Sequence, residues 1–376
     1  MSKQNHLHIV SFDIPFPANY GGVIDVFYKL KYLSENQVLI HLHCFEYGRQ
    51  HSKELEQICE SVNYYPRRNN LRAQFSAWPY IVNSRLSNRL VKNLQKDDFP
   101  ILFEGMHTLG VGLDIRLEKR KKIYRESNIE HHYYNHLSLV EKNLFKKSFY
   151  KIESQKLKWF EKNIAYFDNT LVVSEADKDY LNDKYPLLDV VYLPSFHANA
   201  KVDILEGLGS YALYNGNLSV AENIEAVQYL IAEVFSKIDY PFIIAGLNPT
   251  NDLIDSVKLY PNISIKKNLH DNEMKSLVQH AQFNILTTAQ ATGLKLKLLN
   301  TLYQGRFCIV NDKMLRGTHL DEYCIVANSS TLIIEKIKKL QKTPFTQSDI
   351  SIREAGLSNL YDNRQNIKKL MRTCFE

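Results

Sequence analysis

The side chains best suited to chemistry stand at the ends of short apolar runs. Ile101 to Phe103 leads into Glu104, Gly105, Met106 and His107. A carboxylate and an imidazole at the exit of a strand can accept hydrogen bonds from sugar hydroxyls or steady a reacting group; the same pair can simply cap a turn. Ile123 to Arg125 runs into RESNIEHHYYN, where Arg125, Glu126, Glu130 and His131 offer the groups that bind a sugar or an anion. A local ion-pair network would use the same residues. A third concentration begins at Thr287, in TTAQATGLKLKLLNTLYQGRFCIVND. Here a polar turn, Thr287 to Gly293, precedes Leu294, Leu298, Leu299, Leu302 and Tyr303, whose spacing is that of one buried helix face. The unpaired N–H groups of a helix start attract phosphate, and Lys297, ahead of Lys295, is the cation placed to meet it. Lysines on a solvated face would look the same. Gly305 is expected to stop that helix in a left-handed conformation.

Those residues need a scaffold that aligns strand ends with helix starts. The chain supplies one by repeated alternation. Leu7–Phe12, Val38–Phe45, Ile101–Phe103, Ile123–Arg125, Thr170–Ser174 and Val190–Leu193 read as strands of a first unit. Residues 211–214, 242–245, 263–265, 283–286, 307–310 and 323–326 read as strands of a second. Intervening stretches of helical period make both units α/β, with parallel, doubly wound sheets. The break in rhythm from Ser195 to Ser210 predicts domains at 1–195 and 210–345. Residues 346–376 add helices, the last of which can return to the first domain.

Within the first unit, DIPFPANYGG (Asp13 to Gly22) is a turn-rich loop between a strand and a helix. Its prolines restrict the backbone while Gly21 and Gly22 admit close approach, either to a ligand or merely to pack the connection. Gly216, with Asn217 beside it, and Gly246 are read as following strands, where a bare backbone can accept a diphosphate. None of these glycines belongs to GxGxxG or GxxxxGK[ST]. His41 and His43 share a strand face, but no further ligand follows at useful spacing, so no metal is expected. Leu137 to Phe167 reads as one long helix, with Leu137, Val140, Leu144, Ile152, Leu157, Phe160 and Ile164 buried. Lys142, Lys146, Lys147, Lys151, Lys156 and Lys158 form its basic surface, which suits either solvent or an anionic membrane face.

At 376 residues, with a hydrophobic fraction of 44%, the chain can fill two cores. The net charge of +6 is concentrated locally, since Leu117 to Asn163 holds twelve Lys or Arg against six Glu. No nucleic-acid-binding motif accompanies it. Five cysteines without a CxxC pair suggest buried thiols in a reducing compartment. With no signal-like start or long apolar run, a cytoplasmic protein is expected, peripheral at the inner face of the membrane if its basic helix binds there.

The assembled order resembles the GT-B glycosyltransferases, in particular the GT4-like (group 1) family and its polysaccharide-biosynthesis members, over nearly the full chain. The resemblance rests on PFPANYGG, YNGNLSVAENIEAV and TGLKLKLLNTLYQGRFCIVN. It implies two Rossmann-like domains around a deep cleft and transfer of a hexose, with retention, from a UDP- or GDP-sugar to a glycan or lipid-linked glycan. No tightly bound cofactor or metal is implied. Gly21, Gly22, Gly216, Asn217, Gly246, Thr292, Gly293, Leu294, Lys297 and Asn300 become donor-binding candidates. Glu104 and His107 become catalytic candidates, and Arg125, Glu126, Glu130 and His131 acceptor candidates. Many relatives carry two glutamates with seven residues between them; Thr292 and Asn300 occupy those places here and supply no carboxylate charge. A sugar-nucleotide epimerase and a catalytically degenerate glycan-binding or assembly protein are the competing classes.

Overall fold

A computed structural model describes residues 4–69, 76–288 and 296–376. The described chain divides into two units, residues 4–198 with 361–376, and residues 199–288 with 296–360. Each is built on one wholly parallel sheet.

The first sheet comprises β1 (His6–Ser11), β2 (Leu39–Glu46), β3 (Ser61–Pro66), β4 (Ile101–Glu104), β5 (Lys122–Glu126), β6 (Asn169–Val172) and β7 (Val190–Tyr192), in the order β3-β2-β1-β4-β5-β6-β7. Alternate residues feed two cores because successive strand side chains point to opposite faces. In β4, Ile101 and Phe103 join Leu157, Phe160 and Ile164 on one side, and Leu102 joins Leu7, Ile9 and Leu30 on the other. The helix Asn363–Phe375 completes this second core with Ile367, Leu370 and Cys374. Asn363 also ties it down: its carboxamide accepts from His197 N at 3.3 Å and donates to His197 O at 2.8 Å.

The second sheet comprises β8 (Ala212–Asn217), β9 (Phe242–Leu247), β10 (Ile263–Lys267), β11 (Phe283–Leu286), β12 (Phe307–Val310) and β13 (Ile325–Val326), in the order β10-β9-β8-β11-β12-β13. Its core gathers Tyr214, Leu230, Phe242, Phe283 and Ile309. In both sheets the order reverses beside the first strand, at β1/β4 and at β8/β11. A crevice opens at such a switch point because the following loops diverge to opposite faces.

Several local expectations change. Gly216 and Gly246 lie inside β8 and β9, in register with each other, and a Cβ on Gly246 would come within 1.8 Å of Gly216 O. Gly305 does not have positive φ; it is glycine because a Cβ would meet the Asn284 carboxamide nitrogen at 2.4 Å. The single helix expected over 137–167 is two helices, Glu130–Val140 and Leu144–Phe160, followed by a turn of 3₁₀ helix. Glu141 takes an extended conformation, and Asn143 restarts the helix by accepting from the N–H groups of Phe145 and Lys146. Leu157, Phe160 and Ile164 are buried as expected, whereas Leu144 and Ile152 project outward with Leu139, Trp159 and the 90%-exposed Phe145.

Candidate functional site

In the first unit, the loop after β1 is held by its own polar groups. Asp13 accepts from Ile14 N at 2.8 Å and from the Tyr20 hydroxyl at 2.9 Å, while the Arg49 guanidinium stands 3.5 Å away. Gly22 is required by packing, since a Cβ would lie 2.7 Å from the Phe12 ring; Gly21 faces open space. Across the switch point, β4 is followed by Gly105 at φ 71°, beneath the His107 ring. His107 Nδ1 is buried with no hydrogen-bond partner among the described residues, and the ring lies 5.2 Å from that of Phe12. Burial, with Arg85 and Arg67 nearby, holds its pKa well below the ordinary histidine value, so the imidazole is neutral at physiological pH. Of the two residues at this turn, Met106 belongs to the core and His107 is half-buried beside the Phe12 ring.

Glu104 does not reach that crevice. Its carboxylate is 2% exposed and lies 2.6 Å from Lys29 Nζ, which is also 3.1 Å from Asp25. Arg125 completes the set with Asp25 at 3.2 Å and donates to Leu193 O at 2.5 Å and Pro194 O at 3.2 Å. Burial alone would raise Asp25, but Arg125 and Lys29 hold it at about 2; for Glu104 burial prevails and its pKa is raised. These four groups are an internal counter-ion cluster. The expectation that Glu104 and Arg125 present themselves to a substrate is therefore corrected. The signal for the missed Asp25 and Lys29 was present: they sit four apart within the apolar stripe of the helix Gly21–Glu35.

The remaining acceptor candidates do not converge with Arg125. Glu126, its neighbour in β5, faces the opposite side, where it is fully buried with Tyr124 and raised well above the usual carboxylate range by burial and by Glu161. Glu130 begins the next helix, and burial raises it to about 7. His131 Nδ1 is 2.9 Å from Glu161, which is held at about 2 by His131 and Lys184 against its own burial.

In the second unit, Lys297 projects from the helix Leu296–Gln304 to the end of β8. Its ammonium lies 3.3 Å from Asn223 Oδ1, 3.5 Å from the Tyr214 hydroxyl and 5.1 Å from the Tyr214 ring. Asn223 in turn donates to Asn217 O at 2.9 Å and is the group a Cβ on Gly216 would strike at 3.1 Å. Lys297, Gly216 and Asn217 thus meet at one place. Asn300 instead accepts from the Asn199 carboxamide at 2.8 Å. Thr292, Gly293 and Leu294 lie outside the described residues.

Beside β11 a cavity of about 300 Å³ is lined by Glu222, Tyr229, Thr287, Thr288, Asn311 and Asn328. Glu222 accepts a short hydrogen bond from the Thr288 hydroxyl, and the Thr287 hydroxyl is buried with no partner among the described residues. These are groups a polyhydroxylated ligand can satisfy. Glu222 and Asn223 lie within YNGNLSVAENIEAV, but locally they showed only the opening of a helix after a strand and were not singled out. A larger hollow of about 620 Å³, around Asp312 to Asp321, follows β12, away from the switch point. Among the described residues no group of three or more His, Cys, Asp or Glu is placed to hold a metal ion.

Comparison with known proteins places this geometry in a fold. No family model matches the chain. A Klebsiella pneumoniae protein, an uncharacterized 44.6 kDa protein in cps region, is 26% identical over 381 residues, covering 95% of this chain and 96% of the relative. The sucrose-phosphate synthase of Thermosynechococcus elongatus matches with a TM-score of 0.71 at 10% identity over 98% of each chain. S. aureus TarM, crystallised with Fondaparinux, alpha-GlcNAc-glycerol and UDP, gives 0.69 at 10% identity over 99% of this chain and 100% of that one. Anabaena HepE with UDP and glucose gives 0.64 at 11% identity over 98% of each. The two Rossmann-like units are thus those of the GT-B architecture.

Proposed function

We propose that the chain is a GT4-like retaining glycosyltransferase that moves a hexose from a UDP- or GDP-sugar to a glycan or lipid-linked glycan. The observation that carries this reading is the convergence of Lys297, Gly216 and Asn217 at the β8/β11 switch point. It is supported by the shared fold with structures that contain UDP. There Lys297 offsets the charge that develops on the departing diphosphate, with bare backbone alongside to admit the phosphates. The cavity containing Glu222 and Thr288 takes the hydroxyl-bearing part of the donor.

In the first unit, Gly21 and neutral His107 line the loops that receive the reacting sugars. An imidazole that is not protonated accepts a hydrogen bond from a hydroxyl without contributing charge. Attack on the face the nucleotide leaves, with a phosphate oxygen helping remove the acceptor proton, needs no protein carboxylate. Such a course agrees with Glu104 acting as a counter-ion. No helix among the described residues is long and apolar enough to cross a membrane. Phe145, Leu144, Ile152 and Trp159 project among exposed Lys142, Lys146, Lys147 and Lys151, a combination that fits an anionic lipid surface from which a lipid-linked acceptor is taken.

Calorimetric titration with UDP, GDP and their hexose conjugates tests the reading. A selective, saturable donor followed by acceptor-dependent nucleotide release is expected. Acceptor-free conversion of the donor sugar would indicate an epimerase instead. Binding without turnover across acceptors would give weight to the degenerate class, in which Asn300, bonded to Asn199, has left the donor site.

A further inference from the structure

The loops after β2 and β3, with the segment after the helix Tyr80–Asn83, assemble a second group of side chains in the first unit. β2 ends at Glu46 and delivers Tyr47 and Arg49; β3 ends at Pro66 and delivers Arg67; the short helix delivers Arg85. The Arg67 guanidinium stacks 4.2 Å from the Tyr47 ring and 5.0 Å from the Tyr80 ring, with Nε donating to Ser84 Oγ at 3.0 Å. Arg85 lies 6.0 Å from the same Tyr47 ring and is buried, donating from Nε to Phe12 O and from Nη1 to Ile81 O, each at 2.8 Å.

Among the described residues no carboxylate forms an ion pair with Arg67 or Arg85. Asp13, which also faces Arg49, and the buried Glu130 are the acidic groups near Arg85. Arg85 is thus partly offset within the fold, while the Arg67 guanidinium stands against the Tyr47 ring with no carboxylate paired to it among the described residues. Arg85 is fixed by its own buried hydrogen bonds, whereas Arg67, held on the ring without a paired carboxylate among the described residues, keeps donors that suit an anion arriving from solution. Tyr47 is 56% exposed and is followed by Gly48 at φ 78°, where a Cβ would meet nothing within 4 Å. A flat, open ring beside oriented guanidinium groups suits a sugar carrying an oxyanion: the ring stacks on the sugar, and the guanidinium donates to the charged oxygens.

We propose that Tyr47, Arg67 and Arg85 form a subsite for an acidic sugar of the acceptor, one bearing a carboxylate or a phosphate. The proposal rests on the glycosyltransferase reading and names its acceptor class. Arg85 is a fixed part of the wall, Arg67 the half-buried donor, and Tyr47 the stacking surface.

Ligand-observed NMR on the full chain can test this with matched probes: cellobiose against cellobiouronic acid, and glucose against glucose 1-phosphate, with UDP titrated in parallel. The acidic member of at least one pair is expected to bind about tenfold more tightly than its neutral match. A preference confined to the first pair assigns a carboxylate, and one confined to the second assigns a phosphate. Arg67→Gln and Tyr47→Ala, both at partly exposed positions, should each abolish the preference and leave UDP binding unchanged. The preference should survive Lys146→Gln with Lys147→Gln, which lowers the overall positive charge elsewhere. Equal binding of acidic and neutral probes, or a preference that persists in Arg67→Gln, would overturn the subsite. A preference lost in Arg67→Gln in a protein that binds no sugar nucleotide would uphold the subsite and reject the donor reading.

Discussion

Glu104→Gln removes one negative charge from a buried set of four, Asp25, Lys29, Glu104 and Arg125, whose formal charges cancel. Lys29 Nζ lies 2.6 Å from Glu104 and 3.1 Å from Asp25, and all four side chains are almost wholly withdrawn from solvent. At an effective dielectric of about 20, the shorter contact corresponds to roughly 6 kcal/mol of gross attraction, much of it offset by the cost of desolvating both ions. Breaking one side of such a buried pair costs about 3–5 kcal/mol, because the partner is left charged and unmatched. Lys29 keeps Asp25, which it shares with Arg125, so the low end applies: about 3 kcal/mol. For a unit of this size that corresponds to a fall in Tm of roughly 6–12 °C, read by scanning calorimetry at pH 7. Combining Lys29→Met with Glu104→Gln removes the stranded cation and should recover most of the loss. A single variant within about 0.5 kcal/mol of the parent would refute the counter-ion assignment and return Glu104 to candidacy as a substrate-contacting group.

Lys297→Ala should weaken UDP or GDP binding by about tenfold or more, the worth of a charge-assisted contact of roughly 1.5–3 kcal/mol; unchanged calorimetric affinity would remove Lys297 from the diphosphate site. Glu130 is raised from 4.5 to about 7 by burial, so its contribution to stability is fully present below about 4.5 and is lost as pH rises through 7. Over that window the loss amounts to about 3 kcal/mol, and Glu130→Gln should flatten the corresponding slope in urea midpoints; an identical slope in the variant would show that another group titrates. Phe145→Ser combined with Lys146→Gln and Lys147→Gln should cut sedimentation with phosphatidylserine-rich vesicles by about tenfold or more, since each lysine near such a surface contributes about 1 kcal/mol. Equal binding of parent and variant at low salt would end the lipid assignment.

Strands buried on both faces were legible because their apolar runs are continuous; Phe283–Leu286 and Phe307–Val310 have the bounds read from the sequence. Ser174, read as the end of a strand, instead caps the helix Glu175–Lys184, its hydroxyl accepting from Asp177 N. What escaped was decided across the chain. His41 and His43 share a face as their spacing requires, but their partners are His6 and His8 on the adjoining strand, at 3.1 and 2.9 Å, with Ser61 and Tyr65 beyond. Periodicity cannot supply a neighbour from another strand. Glu104 and Arg125 looked like exposed chemistry because each stands at a strand end; only the two charges on the facing helix reveal that they are neutralised inside. The helix over 137–167 failed for a local reason, the Asn143 cap, which outweighed a hydrophobic pattern that continues through it.

The helix Asn363–Phe375 has a consequence for the order in which the molecule is made. Ile367, Leu370 and Cys374 fill a core whose other walls are drawn from β1, β2 and the 21–35 helix, and Asn363 grips a backbone 166 positions earlier. A ribosome that has finished the first 198 residues has produced a sheet whose inner surface is still open. The missing wedge, residues 363–375, follows the second sheet in the chain and so is made only after that sheet has become free to fold. A chain lacking residues 363–375 would then leave the earlier-made unit, rather than the later one, with exposed apolar surface, so a segment that follows the second sheet seals the core of the first.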